Sequence, residues 1–182
     1  MSDLRTLYEE DTVAWSEQQA AALRAAARTG SNQHLDWENL AEEIESLGKS
    51  VRIGLQSQIA RIIQHEVKLE HSPALDPRKG WRHTIRQARV EIERILEDSP
   101  SLRREVPRLI QEETGRAVRL AISDMEDHGE LDLLDLPILR KASFTEEQIL
   151  GIGSRRSGGV SSGITTTSSG ATFDGAAPIL TT

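Results

Sequence analysis

The chain has no cysteine and only six aromatic residues: three Trp, two Phe and one Tyr. Without cysteine it cannot form a disulfide, a thiolate zinc site or a cysteine nucleophile. Because cytosolic proteins seldom need disulfides, we expect a cytoplasmic protein of bacterial type. No apolar run approaches the roughly 18 residues that a spanning helix needs, and the first residues lack a secretory-signal pattern. The sequence therefore predicts no membrane association.

Positive charge is also in deficit. The chain carries 22 Lys and Arg against 29 Asp and Glu, which gives a net charge of −7. Proteins that bind the phosphate backbone usually do so through an excess of positive charge. Nucleic acid is therefore an unfavourable partner for the chain as a whole.

The composition changes near residue 151. Of the last 32 residues, seven are Gly, six are Ser and six are Thr. Such a segment buries too little apolar surface to offset the entropy lost on ordering. We therefore predict a helical-bundle domain over residues 1–150 and a disordered, flexible tail over 151–182. A strand near 164–167 is the alternative for part of the tail.

The first 150 residues show helical periodicity, with apolar residues recurring every three or four positions. Asp36 is placed as an N-cap, Pro73 and Pro77 end one helix, and Ser99 with Pro100 begins another. The pattern predicts an all-α fold, an antiparallel bundle of about five helices. The predicted helices cover 4–28 with a break near Asp11, 37–48 with a bend near Gly48, 49–71, 78–97 and 100–127, followed by a short helix at 145–150.

Familiar catalytic and metal motifs fail on spacing. His65 and His71 lie six residues apart, whereas a zinc-binding helix places two histidines at i and i+4. No Glu-x-x-His pair of the di-iron bundles occurs, and no phosphate-binding glycine loop or nucleophile elbow is present. The motifs therefore predict neither a metal site nor a cofactor.

Four polar residues lie on or beside predicted apolar faces: Glu43, His65, Glu66 and Arg89. Since a carboxylate on a core face is costly unless it is paired, Arg89 is the natural partner for Glu66. One interpretation is a structural ion pair with a neighbouring histidine. The other is a polar pocket that binds an anion, a metal or a nucleotide.

A basic stripe on the predicted fourth helix is formed by Arg78, Arg82 and Arg86, which repeat at intervals of four. Such a stripe is most often a solvated face. The alternative is contact with nucleic acid, which the acidic residues along its edge disfavour.

Six segments follow one another in a recognisable order: residues 7–15, 35–48, 65–73, 81–92, 99–102 and 144–150. Together they resemble a known family, the bacterial domain of unknown function number twenty-nine. The resemblance implies an all-helical fold and no established activity, so it assigns no catalytic residue. Four features depart from the family pattern: Glu66 stands where an apolar residue is usual, Leu69 where an aromatic is frequent and Ala88 where Gln is frequent, and the Gly/Ser/Thr tail has no counterpart.

Two functional hypotheses follow. The first is an uncharacterised cytosolic bundle that binds a protein partner or itself, which requires an exposed apolar patch. The second is a small enzyme or ligand- or metal-binding protein with His65 as base or ligand, Glu43 orienting it and Arg89 holding an anionic group. The second requires these three side chains to meet within about 6 Å. The sequence leaves open whether the protein is an enzyme.

Overall fold

The fold was analysed in a computed structural model that describes residues 4–29, 34–130 and 136–151. Helices account for every regular element in these ranges, and no strand occurs in them, so the all-α prediction is confirmed. Apart from Gly151, the predicted tail lies outside the described residues. The elements are α1 (Leu4–Glu10), α2 (Thr12–Arg28), α3 (Trp37–His71), α4 (Arg78–Asp98), the 3₁₀ helix η1 (Pro100–Glu105), α5 (Val106–Asp127), α6 (Leu136–Leu139) and α7 (Glu146–Leu150).

Asp11 separates α1 from α2, as predicted. Its backbone is extended, and its Oδ1 accepts a hydrogen bond of 2.8 Å from the Ala14 amide, so it is the N-cap of α2. Its Oδ2 also accepts 2.6 Å from the amide of Ser101 in η1. One buried carboxylate therefore ties the start of α2 to the start of η1.

The predicted bend near Gly48 is wrong, because α3 runs unbroken for 35 residues. The glycine serves packing instead. A Cβ built at Gly48 would overlap Ser16 Oγ of α2 and would lie 3.7 Å from Ser16 Cβ. Glycine thus allows α2 and α3 to approach closely at this position.

A single core surrounds the C-terminal half of α3. Gly54 and Glu66 of α3 lie beside Ile95 and Arg89 of α4 respectively, so α4 runs antiparallel to α3. Arg52 meets Glu105, just before α5, and Gln64 meets Asp124 of α5, so α5 runs parallel to α3. Pro107 lacks an amide hydrogen, so the predicted fifth helix begins as η1 and restarts as α5. The largest side chains of the core are Leu55, Ile59, Ile62, Ile63, Ile92, Leu102, Leu109, Leu139 and Ile149.

The N-terminal half of α3 extends beyond this core. Ile95, near the end of α4, lies beside Gly54, and Glu105, just before α5, binds Arg52. Residues 37–50 therefore project about 20 Å past both helices, at 1.5 Å per residue. Gly48 packs against Ser16 of α2, and Arg24 of α2 pairs with Glu45 and Glu38. No residue of the main core cluster lies between 14 and 50. We call α2 with residues 37–50 the projecting hairpin.

Candidate functional site

The predicted pair of Glu66 and Arg89 is present. Arg89 Nη2 lies 3.1 Å from Glu66 Oε1, and both side chains are about two-thirds buried. The same guanidinium donates 2.7 Å to the carbonyl of Gln148 and 3.0 Å to the carbonyl of Ile149. Since these are among the last carbonyls of α7, Arg89 caps that helix as well as neutralising Glu66.

The C-terminal end of α7 fits closely around this arginine. The helix begins with a capping box at Thr145, where the sequence predicts a short helix, and ends at Gly151 with a φ of 73°. A Cβ at Gly151 would lie 3.2 Å from Arg89 Cδ and Nε. Arg89 Nε and Nη2 therefore both donate to groups of the chain itself. This geometry supports a structural role for Arg89.

His65 does not join this pair, although it precedes Glu66 directly. Successive helical residues point about 100° apart, and His65 faces Lys68 of its own helix and Asp124 of α5. Burial lowers the pKa of His65, and the charges of Lys68 and Arg61 add to this effect, while Asp124 opposes it. Its Nδ1 is buried, and no atom of the described residues forms a hydrogen bond with it.

Glu43 lies far from the other three residues. It is exposed on the projecting hairpin, and 22 residues of one continuous helix separate it from His65. At 1.5 Å per residue this separation is about 33 Å. The structure therefore does not form the predicted pocket of Glu43, His65 and Arg89, because α3 lacks the bend that could have folded its two halves together.

The predicted basic stripe divides into two parts. Arg78 donates to the backbone carbonyls of Leu69 and Ser72, so it caps the C-terminal end of α3. Arg82 and Arg86 are exposed on α4 and form no ion pair within the described part of the chain. Only these two arginines remain as a candidate basic surface.

Sequence reasoning missed the ion pair of Lys68 with Asp124. Gln64 Nε2 also donates 2.7 Å to Asp124 Oδ2. Burial raises the pKa of Asp124. The pKa is lowered by more through the hydrogen bond and the charge of Lys68 and through the hydrogen bond from Gln64, so it lies below its usual range. Helical periodicity could not reveal this pair, because it joins residues 56 positions apart on two helices.

Trp37, Leu40, Ile44 and Leu47 repeat at the three- and four-residue spacing that is typical of a core face, but they do not form one. Leu40 is 41% exposed and Leu47 is 47% exposed, while Trp37 and Ile44 are only partly buried. The small residues Ala41 and Gly48 are the ones buried on this part of α3. The four larger side chains form an apolar stripe along the projecting hairpin, beside the contact with α2, and we call them the hairpin stripe.

Charge is distributed unevenly along the same helix. Residues 36–45 include five acidic residues and no basic one, whereas 46–52 include two basic residues and no acidic one. Arg24 of α2 lies 2.6 Å from Glu45 and 3.9 Å from Glu38, so it neutralises only part of the acidic segment. The hairpin stripe therefore has an acidic end and a basic end, and Lys49 at the basic end lies 3.0 Å from Glu45.

Among the residues that the structure describes, no group of three or more His, Cys, Asp or Glu side chains is placed to hold a metal ion. None of the helices in these ranges combines the length and apolarity required to span a bilayer.

Comparison with known proteins places the chain in a family. No curated protein matches it. A crystal structure of an alpha-helical protein of unknown function from Rhodospirillum rubrum is similar, with 23% identity and a TM-score of 0.52 over 80% of this chain and 96% of that chain. This likeness concerns the fold alone. The pattern of the family described as "Domain of unknown function DUF29" matches residues 7–152, and the chain therefore belongs to the DUF29 family.

Proposed function

We propose that this protein is an interaction module that associates with a second copy of itself through the hairpin stripe. One observation carries the proposal: an apolar stripe lies partly uncovered on a helical hairpin that projects from the core. Two hairpins packed stripe to stripe would form a four-helix bundle, the arrangement that ordinarily covers such faces.

The hairpin buries little apolar surface by itself. Its contact is built from the small residues Ser16, Ala20, Ala41 and Gly48, all nearly inaccessible to solvent. Full burial of a leucine stabilises by about 1.5–3 kcal/mol, so covering the exposed fraction of Leu40 or Leu47 contributes about 1 kcal/mol. A symmetric dimer would cover four such leucines and therefore gain about 4 kcal/mol from them.

The size of the surface sets the expected strength. The hairpin projects about 20 Å and is two helices wide, about 20 Å, which offers roughly 400 Å² per copy. Stable protein interfaces bury about 800 Å² per partner, and association also costs rotational and translational entropy. We therefore expect a reversible dimer with a dissociation constant of about 10 μM to 1 mM.

Charge favours an antiparallel arrangement of the two α3 helices. With Leu40 opposite Leu47 of the second copy, Glu38 comes opposite Lys49 of the second copy. The acidic end of each stripe then lies against the basic end of the other. A parallel arrangement would instead bring both acidic ends together, which like-charge repulsion disfavours.

Analytical ultracentrifugation of the full chain tests the proposal. The chain is measured at about 5, 50 and 500 μM. As the concentration increases, the mean mass should rise above the monomer mass of 20.2 kDa. The double variant L40S/L47S should remain monomeric. Leu120→Ser is the matched control, because Leu120 is 45% exposed on α5 and should leave dimerisation unchanged. A wild-type chain that stays monomeric, or a double variant that dimerises equally well, would contradict the proposal.

Charge reversal tests the orientation. Lys49→Glu should weaken dimerisation about threefold to tenfold, and adding Glu38→Lys should restore most of the affinity. If the second substitution weakens association further, the antiparallel arrangement is wrong while self-association through the stripe can still hold.

A further inference from the structure

The first half of α4 carries charge of one sign only. Residues 77–90 include five Lys and Arg and no acidic residue, whereas residues 91–98 include four acidic residues and one Arg. Arg82 and Arg86 are exposed on this half together with Lys79. At about 100° per residue the three cations lie within roughly 60° of arc, so they share one side of α4. We call these three residues the basic face.

The charges of the basic face are not compensated within the described part of the chain. The other two basic residues of this half are used: Arg78 donates to carbonyls at the end of α3, and Arg89 pairs with Glu66. The basic face forms no ion pair with any residue that the structure describes, including Asp76, the acidic residue nearest to it in the chain. Its three cations are therefore available to an external anion.

The second half of the same helix shows what an ordinary solvated face looks like. There Arg94 lies 2.6 Å from Glu91 and 3.2 Å from Asp98, at the three- and four-residue intervals that stabilise a helix. In the basic face, Arg82 and Arg86 are four residues apart and carry the same charge, so they repel each other. The basic face therefore opposes the stability of its own helix, and a binding role explains it better than solvation does.

Exposed apolar residues lie beyond both ends of the basic face. Leu75, in the turn before α4, is 79% exposed, and Val90, four residues after Arg86, is 66% exposed. The phosphate backbone of nucleic acid offers little apolar surface to cover them. It also carries one negative charge per about 1.7 Å, so the net charge of −7 repels it more strongly than it repels a short acidic segment of protein. A protein partner therefore fits this surface better than nucleic acid does.

We propose that the basic face binds an acidic helix of a partner protein, with three carboxylates spaced by three and four residues and an apolar residue beyond each end. Lys79 and Arg86 lie seven residues apart, about 10.5 Å along the helix axis. A helix packed alongside has the same rise per residue, so one carboxylate can reach each cation. Because exposed ion pairs are individually weak, we expect a Kd of about 0.1–1 mM for an isolated peptide. This proposal does not rest on self-association through the hairpin stripe.

Nuclear magnetic resonance of the full chain tests the proposal with designed peptides. Two alanine-based helical peptides carry three Glu, at i, i+3 and i+7 in one and at i, i+4 and i+7 in the other, with Leu beyond both ends. The first matches a parallel helix and the second an antiparallel one, and at least one of them should shift the amide signals of residues 79–90 saturably. A peptide with Gln in place of Glu, and one with the three Glu spread around the helix, should each bind at least about fivefold more weakly.

Two double variants assign the surface. Arg82→Gln with Arg86→Gln should weaken peptide binding at least about fivefold, because it removes two of the three cations. Arg103→Gln with Arg104→Gln is the matched control, since it removes the same charge from two exposed arginines of η1 and should bind as the wild type does. Thermal unfolding shows whether each variant is folded, and the comparison among peptides does not depend on any variant.

Other occupants of the basic face give different results. A short DNA duplex, or vesicles with about 30% phosphatidylserine, that bound more tightly than the acidic peptides would overturn the proposal in favour of nucleic acid or a lipid surface. Loss of self-association by the Arg82→Gln and Arg86→Gln variant in ultracentrifugation would identify a second copy as the occupant and would overturn it as well. So would equal binding of the Glu and Gln peptides, undiminished binding by that variant, or the absence of any saturable shift.

Discussion

Replacing Gly48 with alanine tests whether a close contact between α2 and α3, rather than a bend, explains this glycine. In most helices Gly→Ala stabilises by about 1 kcal/mol, because it reduces the entropy of the unfolded chain. At Gly48 the new methyl group would collide with Ser16 Oγ. The hydroxyl would have to leave its bond of 2.8 Å to the carbonyl of Val13, in a site where Ser16 is completely buried.

The magnitude follows from these two opposing effects. A buried hydroxyl that loses its partner costs about 1–3 kcal/mol. After subtraction of the helix gain, Gly48→Ala should destabilise the wild type by about 1 kcal/mol. In a Ser16→Ala background the nearest side-chain atom is the Cβ at 3.7 Å, an ordinary contact, so the same change should stabilise by about 1 kcal/mol. The two effects differ by about 2 kcal/mol, which is the expected coupling between the sites.

Urea denaturation of the four chains in this cycle measures the coupling. Gly115→Ala is the control, because the added Cβ meets only the mobile end of Arg119 at 3.6 Å and should stabilise by about 1 kcal/mol in either background. If Gly48→Ala stabilises the wild-type chain by as much as it stabilises the Ser16→Ala chain, the close packing inferred for α2 and α3 is wrong.

Three further changes have defined outcomes. Arg89→Gln should lower the free energy of unfolding by about 2 kcal/mol and should selectively reduce the hydrogen-exchange protection of α7, because two of its terminal carbonyls lose charged donors; unchanged protection of α7 would count against the cap. Asp11→Ala should lower the free energy of unfolding by about 3 kcal/mol, because it removes both the cap of α2 and the bond to η1. Asp36→Ala removes an exposed cap only and should lower it by about 1 kcal/mol, as measured by thermal unfolding of both variants. Burial lowers the pKa of His65, so the unfolded chain binds its proton more readily and this histidine destabilises the fold as the pH falls through about 6.5. His65→Gln should therefore lose less stability than the wild type between pH 7.5 and 5, and an identical loss in urea titrations would disprove the assignment.

Local patterns in the sequence determined most of the helices and several of their caps, although not the continuity of α3 at Gly48. The three- and four-residue spacing of apolar side chains predicts α4 and the C-terminal half of α3, with Ile59, Ile62 and Ile63 in the core as observed. The caps at Asp11 and Thr145 are equally predictable, because a capping side chain binds an amide within three residues of itself. Such contacts lie within a single turn, and the sequence alone contains the information they require.

Only the tertiary structure decided which apolar face is covered and which polar groups meet. Leu40 and Leu47 have the spacing of a buried face. Whether they are exposed depends on where α4 ends and where α5 begins relative to α3. From the sequence, Gly48 predicts a bend, whereas in the structure it makes room for Ser16 of α2. The contact of Lys68 with Asp124 likewise depends on how α3 and α5 align, which no local spacing specifies. Periodicity fixes the direction of a side chain from its own helix, whereas burial and ion pairing depend on the neighbouring helix.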